Sequence, residues 1–421
     1  MPSTIIWRGD APAVAQVGTF TVTGYDASTT YNITINGKVV SAVGATSTTI
    51  TATNLVTVLN ASTIPEFTEI TWSNPSNGVI QGTADAAGKP FTATSSVSGG
   101  SGTLGSYSAV TANSGPAVAS VAANYSTGSL PTTGDTLIFD NSAASMLYDL
   151  SALSAVTLAY LKITGTFIGQ IGLPNTAGTG SSIYREYRPT YFQIGATTCA
   201  IGIGPGNGSG RIKIDFGTAA YNCTVWNSAS GLENDVPAVL IKGTHASANS
   251  LTGQKGSVGV AYFADEVAVL RQLNVGFVNN MLGDSSVWLG SGATGGIGGA
   301  GLEITQSGGT IYTNNNFINL NQTAGILYLM SGASITGSPI NIGGTLIDYG
   351  GGTLDMVNLI GTYDHSQGLT ASTITTLWVY KKAVYNDPYH LVTLTNGMSF
   401  SADCEVGDIT LNVAAGTKLT F

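Results

Sequence analysis

Charge is the scarcest property of this sequence: Asp, Glu, Lys and Arg together supply only 9% of its 421 residues, against 43% hydrophobic residues. A soluble domain ordinarily carries about a quarter charged residues, and a disordered chain pairs high charge with low hydrophobicity. The composition therefore fits a folded chain whose surface is built from Ser, Thr, Asn and Gly. Basic residues are scarcer still, 14 against 23 acidic ones, for a formal net charge of −9. Binding phosphate backbones needs a basic face, and the longest basic run is Lys381-Lys382, so no nucleic-acid partner is expected. Cysteine is nearly absent. Cys199, Cys223 and Cys404 are odd in number and widely spaced, which suits small buried residues better than a disulfide framework or a zinc site. The three histidines, His245, His365 and His390, lack a second ligand at metal spacing. No metal or cofactor is expected. No apolar run reaches the roughly 18 residues of a membrane span. Residues 1–10 (MPSTIIWRGD) show no basic region leading into an apolar stretch, so the expectation is a chain without a signal peptide, folded in the cytoplasm where it is made.

What is abundant is glycine, 56 residues of it, and the chain length predicts more than one structural unit. Over residues 1–94 strand-like alternation at 19–23 and 31–35 leads to the turn pair Asn36-Gly37, which supplies the positive φ angles of a tight hairpin. A short apolar cluster at Leu55, Val56, Val58 and Leu59 reads as helix, and strands follow at 69–72 and 79–84. The order predicts a compact α+β module. Residues 95–122 are rich in Gly and Ser and read as a linker. From 123 to 421, short apolar or β-branched strands alternate with Gly, Asn or Ser turns, as at 157–163, 211–216, 238–241 and 257–263.

Repetition is clearest between 291 and 354. The segment from Gln306 (QSGGTI) recurs sixteen residues later from Gln322 (QTAGIL), Gly343 (GGTL) recurs at Gly351, and Ser291 (SGATG) at Ser331 (SGASI). Repeats of roughly 16–20 residues suit one coil of a parallel β-helix, where a propeller blade needs about 40. The fold class is thus mainly β: a small N-terminal α+β module followed by a parallel β-helix or β-solenoid.

Three stretches carry a resemblance. Residues 31–38 (YNITINGK), 59–61 (LNA), 65–67 (PEF) and 87–91 (AGKPF) resemble, in order and spacing, a module common in tailed-phage structural proteins. Residues 123–140 (ANYSTGSLPTTGDTLIFD) resemble the entry segment found just before secreted or virion β-solenoids, with Tyr125 in place of the usual Trp. The stretch from Glu186 through Gly256, with Tyr385 (YND) and Thr395 (TNG), is similar to uncharacterised proteins encoded among structural genes of tailed phages and prophages, including those in planctomycete genomes. The resemblance implies a virion component and supplies no activity.

A phage solenoid raises the question of polysaccharide cleavage, which normally needs two carboxylates on one face. Between Asp284 and Asp348 the sole carboxylate is Glu303. Glu233 with Asp235, and Asp265 with Glu266, read as acidic loop tips; Asp348, Asp355 and Asp364 read as turn-capping residues. The run Asp364-His365-Ser366 holds triad residue types, but adjacency is not triad geometry. The Gly-rich run 202–210 matches neither dinucleotide nor phosphate-loop spacing, and Pro205 removes an N–H from its centre. No catalytic residue is therefore assigned. Two aromatic and cationic clusters are candidate interfaces, since Tyr, Trp and Arg anchor protein contacts: Tyr184, Arg185, Tyr187, Arg188 and Tyr191, and Trp378, Tyr380, Tyr385 and Tyr389. The bland reading is that these loops seal the side or end of the solenoid.

The expectation is a non-catalytic structural component of a virion. It would decorate the capsid or form an external appendage, partner other virion proteins such as the major capsid or tail protein, and assemble as a homo-oligomer, with a trimer favoured because open solenoid ends need covering. The alternative is a tail fibre or tailspike that binds, and in one version hydrolyses, host surface polysaccharide. A cell-surface adhesin would need an export route that the first residues do not show.

Overall fold

A computed structural model describes residues 2–177, 184–232, 237–246, 249–276, 285–295, 301–405 and 409–413. The protein is mainly β, with a single α-helix among the described residues. Most strands belong to one continuous, parallel, hydrogen-bonded network of 23 strands, the arrangement of a β-solenoid.

The solenoid follows from alternation along each strand and stacking between coils. On the first face Ile304, Leu320, Ile340, Val357 and Leu377 lie in register, one per coil, and all are buried. On the second face Val287, Ile311, Leu327 and Leu346 do the same. A third, more broken face runs through Phe317, Ile335, Leu354 and Ile374. Successive side chains in a strand point to opposite sides, so the residues between these columns face outward. Burying each Leu or Ile stabilises by roughly 1.5–3 kcal/mol, and identical environments in adjacent coils let the same residue types recur.

The sixteen-residue repeat appears as expected. Gln306 and Gln322 pair in register and are buried at the corner between two faces. There Gln322 Nε2 donates to Gln306 Oε1 at 3.0 Å, and the two amides also bond the carbonyls of Gly309, Ile326, Gly325 and Thr345. The GGTL recurrence is different. Thr345 and Leu346 stack on Ile326 and Leu327 of the second face, whereas Thr353 and Leu354 pair with Thr373 and Ile374 of the third. Eight residues is too short for a coil, so these copies turn similar corners of one coil.

The chain is not divided at residues 94 and 123. Strand Thr4–Ile6 pairs in parallel with Thr136–Phe139 through Ile5 and Leu137, so the solenoid starts at the first strand and the α+β module is inserted into its first coil. The stretch read as a linker supplies module strands: Thr94–Ser98 pairs with Thr30–Ile35, and Thr103–Leu104 and Ser108–Thr111 pair with Val17–Gly24. Small residues there serve close packing; the Gly102 position, for example, lies against the Tyr31 ring. Trp7, Tyr125, Phe139, Phe167 and Phe192 fill the start of the solenoid with ring contacts of 5.2–6.5 Å.

Within the module, the hairpin of Thr30–Ile35 and Lys38–Val43 turns at Asn36-Gly37 with φ of 53° and 72°. Helix Thr48–Asn60 begins seven residues before the apolar cluster that announced it, with the Ser47 hydroxyl accepting from Ile50 N at 3.2 Å. Its first turns are β-branched Thr and Ile, poor helix formers, held because Thr51, Ala52, Leu55 and Leu59 are buried beside Phe20, Ile33, Phe67 and Trp72.

Candidate functional site

The side chains most concentrated in chemistry lie where the module meets the solenoid, at the segment 184–191. The strand Ile212–Asp215 keeps Ile212 and Ile214 inward and turns Lys213 and Asp215 outward, and Val239–Lys242 stacks on it in register, bringing Lys242 beside Asp215. Gly172, Leu173, Asn175 and Tyr191 lie against these outward residues. Lys213 is thereby buried, its ammonium donating to Leu173 O at 2.9 Å and to Asn175 Oδ1. Tyr191 is buried between two cations, with Lys213 Nζ 4.5 Å and Lys242 Nζ 4.4 Å from its ring centroid; the negative ring face attracts both. Lys242 also lies 3.7 Å from Asp215.

Arg188 is the pin of the junction. It is 7% exposed and reaches into the module to Glu69 Oε2 at 2.5 Å and Pro90 O at 2.6 Å. From the solenoid side it donates to Glu186 Oε1 at 3.0 Å and Tyr184 Oη at 2.7 Å, and its guanidinium lies 4.4 Å from the Tyr187 ring centroid. Lys89 holds the second oxygen of Glu69 at 2.7 Å. Burial pushes the Tyr184 and Tyr187 hydroxyls well above the ordinary phenol range, only partly offset by Arg188. Of the first predicted cluster, Tyr184, Tyr187, Arg188 and Tyr191 thus meet in a contact internal to the chain. Arg185 belongs to the short strand Tyr184–Arg185, and its side chain lies outside the described residues.

A cleft of about 450 Å³ opens beside this pin, lined by Asn175, Glu186, Arg188, Thr190, Tyr191, Lys242, Phe263, Asp265 and Glu266. Glu266 is buried and accepts from Phe263 N at 3.2 Å, while Asp265 is exposed at the rim. The Tyr191 hydroxyl is buried beside the Glu266 side chain, and burial together with the charge of Glu266 pushes it far above the phenol range. Asp265 and Glu266, read from the sequence as an acidic loop tip, are thus part of a concave surface. Lys213, Lys242, Phe263 and Glu186 were not singled out by sequence. The period-2 pattern of residues 211–216 gave the outward direction of Lys213, but not the segment that covers it.

The second predicted cluster separates. Trp378 and Tyr389 are 40% and 65% exposed, whereas Tyr385 is buried in the core, stacked on Tyr363 at 5.5 Å. Tyr385 occupies the inward column of the second face, which excludes it from a surface contact; Tyr380 is half-buried.

The remaining candidates resolve as follows. Asp348 is buried, accepting from Tyr363 Oη at 2.7 Å and Gly350 N at 2.8 Å. Asp364 stacks on Ile347, the outward position, and accepts from Asn386 Nδ2 at 2.7 Å. The two carboxylates therefore face opposite sides of one wall. His365 is fully buried with both ring nitrogens unbonded, so Asp364, His365 and Ser366 form no triad. Glu233 and Asp235 lie outside the described residues. In the Gly-rich run, Gly208 N bonds Gly165 O and Gly206 O accepts from Asn227, as a corner packed on its neighbours. No group of three or more metal-ligating side chains occurs among the described residues, and no described helix is long and apolar enough to cross a membrane. Comparison with known proteins finds no matching family model, no similar curated protein and no similar solved structure.

Proposed function

We propose that this chain is a non-catalytic structural component of a tailed-phage virion, most plainly a capsid decoration or external appendage protein. The observation that carries the reading is the joining of a compact module to the start of a stacked parallel solenoid by the buried Arg188 pin. Such a joint transmits load and orientation from a docked module to a stiff projecting body. The module keeps a sheet free for docking: the edge strand Lys38–Val43 exposes Val39 and Val43, and Val97 is exposed two strands away on the same sheet. Unpaired edges of this kind invite strand or face contacts with a partner. Other virion proteins are the proposed partners and a homotrimer the proposed assembly.

Quantitative mass spectrometry of purified particles tests this. Copies in the hundreds per particle support capsid decoration, and absence from the particle refutes the virion reading. A handful of copies would favour the second reading, a tail fibre or tailspike contacting host surface polysaccharide, for which the cleft beside Tyr191 is the supporting feature.

A further inference from the structure

We infer that the module's edge strand Lys38–Val43 pairs antiparallel, about a two-fold axis at Ser41, with the same strand of a second copy of this chain. The strand ends the sheet it forms with Thr30–Ile35 and Thr94–Ser98. The Asn36-Gly37 turn and the bond from Gly44 N to Thr29 O at 2.8 Å set the phase of its ladder. Bonded and unbonded pairs alternate in an antiparallel ladder. Lys38, Val40 and Ala42 therefore turn their backbone groups to Thr30–Ile35, while Val39, Ser41 and Val43 turn theirs to the open side. Among the described residues no other strand or loop takes them up. The same three side chains point outward: Ser41 is exposed, and Val39 and Val43 are 49% and 58% exposed.

Nothing on this edge guards against pairing. Free edges are ordinarily blunted by unpaired charge, proline, bulges or shortness. This strand is six residues long and lacks proline, and its register runs unbroken from Val43 opposite Thr30 to Lys38 opposite Ile35. Its sole charge, Lys38, is bound to the buried Glu66 at 2.7 Å. A copy turned about Ser41 sets Val39 against Val43, Ser41 against Ser41 and Val43 against Val39. Each open N–H then meets an open C=O in a pair of the bonded kind, and valine meets valine across the outer face. That self-match, with no unpaired charge to oppose it, favours a second copy over an unrelated strand, and a two-fold contact of one patch with itself is the commonest symmetry of homo-oligomers. The inference rests on the module alone, not on the chain's belonging to a virion. It leaves the outer face of the sheet to other proteins and the solenoid to any three-fold contact.

The test is the mass of the full chain in solution, by analytical ultracentrifugation over about 1–100 µM. Val39→Lys combined with Val43→Lys sets like charges against each other across the two-fold, whereas Val39→Lys combined with Val43→Glu sets opposite charges there. The parent protein should reach twice the mass of the doubly basic variant, whatever size that smaller unit has. The mixed variant should associate at least about tenfold more tightly than the doubly basic one. Both positions are exposed, so the melting temperatures should stay within about 4 °C of the parent protein. Amide exchange supplies a readout that needs no variant: Val39, Ser41 and Val43 should exchange fast when dilute and slowly when concentrated, with Val40 and Ala42 slow throughout. A parent protein with the mass of the doubly basic variant, or fast exchange at those three residues at every concentration, would overturn the inference and leave the edge to a strand of another protein. A mixed variant no more associated than the doubly basic one would overturn it equally, by showing that Val39 and Val43 do not face each other.

Discussion

Replacing Arg188 with Ala should uncouple the module from the solenoid. The guanidinium satisfies four acceptors at 2.5–3.0 Å, two of them carboxylates, from a side chain 5% exposed, against partners 17% and 7% exposed. Breaking a buried pair by removing one partner costs about 3–5 kcal/mol, since the other charge stays buried and unpaired. Glu69 keeps Lys89 at 2.7 Å, so the lower end applies, about 3 kcal/mol. For a domain of the module's size, about 1 kcal/mol moves Tm by roughly 4–8 °C. Scanning calorimetry of the variant should therefore show the module melting ahead of the solenoid, by at least about 10 °C. Arg188→Lys should fall between the two, because an ammonium cannot reproduce the planar fork. A single transition within about 2 °C of the parent protein in Arg188→Ala would refute the argument, since even 1 kcal/mol exceeds that shift.

Leu327→Ala should cost about 2–5 kcal/mol by opening a cavity in a fully buried column, whereas Asn341→Ala, which removes one half-exposed bond to Asn358, should cost about 1 kcal/mol or less; chemical denaturation compares them. Cys199 and Cys223 stack in register and are buried, while Cys404 is half-buried, and burial pushes the Cys199 thiol well above its ordinary range. A thiol reagent should thus label Cys404 alone in the native protein and all three after denaturation. Asp135 is almost wholly buried, which opposes ionisation, but bonds from Ser3 N, Thr132 N and Thr132 Oγ1 hold its carboxyl below the usual range. A depressed folded value stabilises above the unfolded carboxylate's range, near 3.9, and the contribution is lost as pH falls through the folded value. Asp135→Asn should therefore lower stability at neutral pH, with the gap to the parent protein closing in acid.

Local signals carried far along this chain. Alternation at residues 211–216 fixed which side of the wall each residue occupies, the Gln306 and Gln322 repeat marked one coil, and Asn36-Gly37 marked the hairpin, since each depends on neighbours a few residues or one coil away. The failures share a cause too. The pairing of Ile5 with Leu137 spans more than a hundred residues, and a three-residue strand has no periodicity to announce it, so the insertion of the module was invisible. Tyr385 lies between Lys381-Lys382 and Asn386-Asp387 in sequence, yet its position in register with Tyr363 turns it inward. Arg188 was visible as a rich cluster, but its acceptors, Glu69 and the Pro90 carbonyl, lie about a hundred residues away. The cleft beside it is lined by Asn175, Glu186, Thr190 and Tyr191 together with Lys242 and Phe263, which follow them in sequence by fifty residues or more.

The most direct test of the central claim is an electron cryo-microscopy reconstruction of purified particles. The account predicts density for the solenoid projecting from the head lattice or an external appendage, with the module seated on a neighbouring virion protein and Thr4–Ile6 forming the first rung. Particles with no density for the chain, or a chain whose solenoid makes the docking contact while the module hangs free, would contradict it.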